Sequence, residues 1–136
     1  MSDGSQLKLR QLRPIDSKER DLVPALLDGV FPAVKTEQDL SHTRVQDMAD
    51  GGMGSILFAS SDPEPRHFGK VVAEAEYIDQ DGVPVSITVN LDSKGDLFEV
   101  DFWKVDFTPL LRYPGPEDLR HRTAATLSEP AIASRS

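Results

Sequence analysis

Between Phe68 and Phe107 apolar and polar residues alternate in three runs, the pattern of strands with one buried face. In the first run Val71, Ala73, Ala75 and Tyr77 share one side, and Lys70, Glu74 and Glu76 share the other. In the second, Val85, Ile87, Val89 and Leu91 alternate with Ser86, Thr88, Asn90 and Asp92. The turn signals Asp79-Gln80-Asp81-Gly82 and Ser93-Lys94-Gly95 separate the runs. The third opens with Phe98, Val100 and Phe102 inward and Glu99 and Asp101 outward, and then Trp103, Val105 and Phe107 become the apolar set. A one-residue bulge near Phe102 and Trp103 would exchange the faces in this way, with a strand buried on both sides as the rival account.

Upstream the periodicity changes. Leu7, Leu9 and Leu12 alternate loosely with Lys8 and Arg10 and suggest a short strand or extended arm ending at Pro14. Asp16 and Glu19 then have the spacing of a capping box, and Leu22, Val23, Leu26 and Leu27 form a one-sided helical stripe that stops at Gly29. Pro24 inside the stripe predicts a kink or an early end. The stretch 31–43 reads as loop with one helical turn. Arg44–Met48 and Ile56–Ala59 flank Asp50-Gly51-Gly52-Met53-Gly54, which predicts a hairpin. Together these elements predict an α+β domain over residues 1–112: an antiparallel β-meander of about five strands with one main N-terminal helix packed on one face. Beyond Pro114-Gly115-Pro116 the periodicity fades, and 113–136 reads as a C-terminal tail that is mobile or ordered only by a neighbour.

Length and composition narrow the class. At 136 residues, 38% hydrophobic and 28% charged, the chain is large enough to bury a core without metals or disulfides. It has no cysteine, which removes disulfides, thiolate metal sites and thiol nucleophiles together. Its first eleven residues lack an apolar stretch and no later run approaches the length of a membrane span, so a cytoplasmic protein is expected. The net charge is −8, and residues 36–112 carry it, with six Lys/Arg against fifteen Asp/Glu for a net of −9. Such a field repels nucleic acid and anionic lipid and attracts a basic partner.

Candidate chemistry is sparse. His42, His67 and His121 lack metal-ligand spacing, and no cofactor or metal is expected. The glycine-rich 50–54 segment lacks the lysine and following helix of a phosphate-binding loop and reads as a turn. Glu74, Glu76, Glu99 and Asp101 project from the polar sides of the first and third runs. If the middle run lies between them, they form one carboxylate-rich face flanking Ser86, Thr88 and Asn90. Trp103, the only tryptophan, and Asp106 are candidates for an interface anchor or ligand platform.

The strings Asp50-Gly-Gly-Met-Gly-Ser-Ile-Leu-Phe58 and Leu97-Phe-Glu-Val-Asp-Phe-Trp-Lys-Val-Asp-Phe-Thr-Pro-Leu110, with Arg13-Pro14 before the leucine-rich helix, resemble an uncharacterised family of small bacterial single-domain proteins. The resemblance runs from about Leu9 to Arg112. It implies a fold and a bacterial setting, and no catalytic residue, cofactor or substrate. By analogy, small acidic proteins of this sort include immunity-type proteins that neutralise basic nuclease toxins. The expected function is a non-enzymatic module whose acidic face receives a basic protein. The alternative is a small hydrolase or isomerase using the same carboxylates, with His67, in a cleft rimmed by the glycine-rich loop. The aromatic run Phe102, Trp103 and Phe107 also admits a homo-oligomer.

Overall fold

The computed structural model describes residues 11–32, 40–60 and 63–127. The helix forms where its caps place it. Asp16 accepts from the Glu19 backbone N–H at 2.9 Å, Glu19 accepts from the Asp16 N–H at 3.0 Å, and α1 runs Ser17–Leu27. It continues for three residues past Pro24, and Leu22, Val23 and Leu26 are buried along one side.

The strands are β1 (Arg13–Pro14), β2 (Arg44–Asp47), β3 (Ile56–Phe58), β4 (Phe68–Ile78), β5 (Pro84–Asp92), β6 (Leu97–Lys104) and β7 (Arg120–Ala124). They form one antiparallel sheet of seven strands, in the order β1-β2-β3-β6-β5-β4-β7. The architecture is α+β, with two more strands than expected. Two three-strand meanders join side by side through β3 and β6, and the extra strands close the two edges. β1 has only two residues, too few to show a period. β7 lies inside the segment that reads as a tail, and all five of its residues are exposed. The expected arm over Leu7 and Leu9 lies outside the described residues. So does most of the 31–43 loop. No helix among the described residues is long and apolar enough to cross a membrane.

One face of the sheet carries the core. Ala73, Ala75 and Tyr77 of β4, Val85, Ile87, Val89 and Leu91 of β5, and Val100 and Phe102 of β6 point into it, against Leu22, Val23 and Leu26 of α1. Val71 does not join them. A bulge between Val71 and Ala73 turns Val72 inward and leaves Val71 exposed. The bulge on β6 is also displaced from its expected place. It lies at Phe98, between the pairs Leu91↔Leu97 and Asn90↔Glu99, and alternation then continues unbroken through Thr88↔Asp101, Ile87↔Phe102, Ser86↔Trp103 and Val85↔Lys104. Lys104 therefore takes an inward position and is fully buried, while Trp103 faces out.

A buried ammonium requires compensation. Lys104 Nζ donates to Asp79 Oδ2 at 2.8 Å, Asp81 Oδ2 at 2.9 Å and the Pro109 carbonyl at 3.1 Å. Asp79 also accepts the backbone N–H groups of Gln80, Leu111 and Arg112. Burial alone would push the Asp79 carboxyl up, but the Lys104 bond and the backbone donors outweigh it and hold the group below the ordinary carboxylate range. A second clamp holds the opposite end of the sheet. Arg66 donates to Asp92 at 3.0 Å and to the carbonyls of Phe58 and Leu97, tying the approach to β4 to the ends of β3, β5 and β6. Asp92 is likewise held low: burial opposes ionisation, and the Asp96 N–H, Arg66 and the Lys94 N–H overcome it. A third clamp joins β1 to its neighbours, with Arg13 forked onto Glu19 at 2.9 and 2.7 Å and onto Asp47 at 3.2 and 2.8 Å.

Carboxyls held low in the folded state stabilise it above their unfolded value of about 3.9, and that stability is lost as pH falls through the folded value. The urea midpoint is therefore expected to fall steeply below about pH 4. Asp79→Asn should cost about 3 kcal/mol at pH 7, where it leaves Lys104 short of a counter-charge. Its curve should converge on that of the parent chain in acid. Urea titrations at a series of pH values check this, and parallel curves would show that Asp79 is not the linked group.

Candidate functional site

The face of the sheet opposite the core is a grid whose rows follow from the register. One row reads Arg120, Glu76, Ser86, Trp103 across β7, β4, β5 and β6. The next reads Thr123, Glu74, Thr88, Asp101, with Ser55 donating to Asp101 at 3.2 Å. The third reads Val71, Asn90, Glu99, Leu57, and Asn90 Nδ2 donates to Glu99 at 2.8 Å. Glu74, Glu76, Glu99 and Asp101 thus stand on one surface with β5 between them. Among the described residues none of the four is ion-paired with a lysine or arginine. The buried carboxylates of Glu19, Asp79 and Asp92, by contrast, are each bound to a cation.

An apolar corner adjoins the acidic rows. Trp103, Val105 and Phe107 are 57%, 54% and 66% exposed, and the Trp103 and Phe107 rings lie 6.0 Å apart at 34°. They meet because the chain turns sharply after β6, with Phe107 N–H donating to the Lys104 carbonyl at 2.8 Å. Asp106 Oδ1 accepts from the Thr108 N–H at 3.1 Å and its hydroxyl at 2.7 Å. Those bonds, the hydroxyl's first, hold the Asp106 carboxyl below its ordinary range. Asp106 therefore closes the turn that displays the aromatic pair. Phe107 has φ 63°, a left-handed conformation that costs a side chain with Cβ about 1–2 kcal/mol.

His67 is exposed in the loop before β4, and its carbonyl accepts from the Ser93 N–H beyond the far end of β5. The glycine-rich loop serves as the β2–β3 turn, where Asp50 accepts the Met53 and Ser55 N–H groups at 3.0 and 2.9 Å. Gly52 has φ 84°, and a Cβ there would stand 3.2 Å from Pro109 Cβ. Among the described residues no three His, Asp or Glu side chains are grouped to hold a metal ion.

The Lys104 clamp escapes a reading of the sequence because a lysine at an inward phase looks like a change of face. Its one signal is that Lys104 continues the even-numbered series of Val100 and Phe102. Nothing in the chain's pattern announces the backbone at Phe107.

Replacing Phe107 by Asn, which tolerates the left-handed conformation, should leave Tm unchanged or raise it by up to about 5 °C. Thermal denaturation checks this, and a fall of several degrees would show that Phe107 supports the fold.

No curated protein and no solved structure matches the chain. The model of one family, described as Domain of unknown function (DUF6984), matches residues 12–114, from the residue before β1 to just past the aromatic turn and the Asp79-bound segment. The match covers most of the chain, which belongs to this family.

Proposed function

We propose that the protein is a non-enzymatic binding module whose outer sheet face receives a basic protein surface, with Trp103 as the apolar anchor. One observation carries the reading: four carboxylates that form no ion pair among the described residues share a face with an exposed aromatic pair, of which Phe107 is strained. The paired carboxylates elsewhere show that this chain supplies counter-charges where its own fold needs them. Aromatic anchors ringed by polar groups are the usual composition of a binding hot spot. Two copies of this face would oppose like charges, which favours a basic partner over self-docking through it. An immunity-type role, in which a small acidic protein caps a basic toxin, belongs to this class of function.

Glu74→Lys combined with Asp101→Lys reverses two exposed charges flanking Thr88. The double variant is expected to keep the circular dichroism and Tm of the parent chain and to lose a basic protein that the parent retains from a source lysate at low salt. Retention should fall at high salt for the parent as well. Equal retention by parent and variant would overturn the proposal.

A further inference from the structure

We infer that the seat beside Trp103 takes a guanidinium, so that the partner's anchoring residue is an arginine. This rests on the reading of the outer face as a docking surface for a basic protein and specifies which cation it selects. In the row Glu76, Ser86, Trp103 the middle residue is small and exposed, so a carboxylate and an indole stand on either side of a low floor. Two strand spacings separate their backbones, about 10 Å, room for one flat group between the side chains. Asp101 lies two residues before Trp103 on the same side of β6, and Phe107 adds a second ring at 6.0 Å. A planar cation can lie on the aromatic surface while its N–H edge reaches a carboxylate.

The chain contains its own example of this recognition. Arg66 stacks over the Phe98 ring, 4.8 Å from its centroid, while its N–H groups meet Asp92 at 3.0 Å. Trp103 with Asp101 repeats the ring and the carboxylate on the same sheet, and the arginine of that row, Arg120, stands on β7 beyond Glu76, three strands from the ring. Lys104 is treated differently, its ammonium held by two carboxylates and a carbonyl oxygen. An ammonium is compact and strongly hydrated, whereas a guanidinium is weakly hydrated, stacks on rings and binds carboxylate with two parallel bonds.

Trp103 is the only tryptophan, so its fluorescence reports this seat alone. Octa-arginine and octa-lysine peptides carry equal charge and serve as probes, titrated at fixed salt by Trp103 emission and by calorimetry. Octa-arginine is expected to bind about tenfold more tightly and to shift the emission. Trp103→Leu should bring the two affinities together while leaving weak, salt-sensitive binding of both. Phe107→Asn should narrow the difference without loss of fold. Equal affinities for the parent chain, or a preference that survives Trp103→Leu, would overturn the guanidinium seat and leave the acidic docking face standing. Binding of both peptides that is unaffected by the Glu74→Lys, Asp101→Lys pair would overturn the docking face itself, and the seat with it.

Discussion

The ammonium of Lys104 sits at a fully buried position on the core side of β6, and it is neutralised only because the chain brings three acceptors from two segments to it. Asp79 and Asp81 come from the β4–β5 turn, and the Pro109 carbonyl comes from the strand's own continuation. Asp79 also binds the backbone of Leu111 and Arg112. A charge removed from water tolerates little displacement of its partners, since the interior stabilises an unpaired ion poorly. The turn, the end of β6 and the segment after it are therefore held as one unit. Tyr77 reinforces it by donating its hydroxyl to the Arg112 carbonyl at 3.0 Å.

The outer face inherits its geometry from that unit. Side chains alternate along a strand, so a lysine pinned inward at 104 leaves Trp103 and Val105 outward. The chain must then leave β6 towards Pro109 in a few residues, and the tight turn that does so puts Phe107 into a left-handed conformation beside Trp103. The acidic rows are placed by the same register, because Thr88↔Asp101 and Ser86↔Trp103 are neighbouring rungs of one ladder. Arg66 holds the opposite end of that ladder through Asp92 and the Leu97 carbonyl. The surface is thus a rigid sheet face held at both ends, which supports the reading of a preformed docking site.

Local signals explain what the sequence disclosed. Asp16 with Glu19, the alternation of β5 and the glycines between β2 and β3 each act within a few residues, and each appears in the fold as expected. The carboxylates of the outer face were legible for the same reason, since period two alone assigns Glu74, Glu76, Glu99 and Asp101 to one side once β5 lies between β4 and β6. Long-range constraints were not legible. Val71 and Val72 are equally apolar, and only pairing with β5 decides which turns inward. β7 is exposed along its whole length and so carries no alternation to read. The Arg66 clamp joins residues 26 and 31 positions apart, with no pattern linking them.

The same contrast bears on why β6 keeps its phase. A bulge at Phe102 and Trp103 would bury Trp103 and Val105 and release Lys104 to water, and each large apolar side chain so buried is worth about 1.5–3 kcal/mol. Hydrophobic burial alone therefore favours the phase that the chain rejects. What opposes it is specific: the Lys104 N–H rests on Met53 Sδ, its side chain is held by two aspartates, and Asp79 would lose its cation while still bound to Leu111 and Arg112. A buried ion pair adds little net stability against an apolar replacement, but it penalises every register that separates its members. Lys104 thus selects the arrangement of β6 more than it strengthens the fold, and the arrangement selected leaves Trp103 and a strained Phe107 in solvent beside carboxylates that form no ion pair among the described residues.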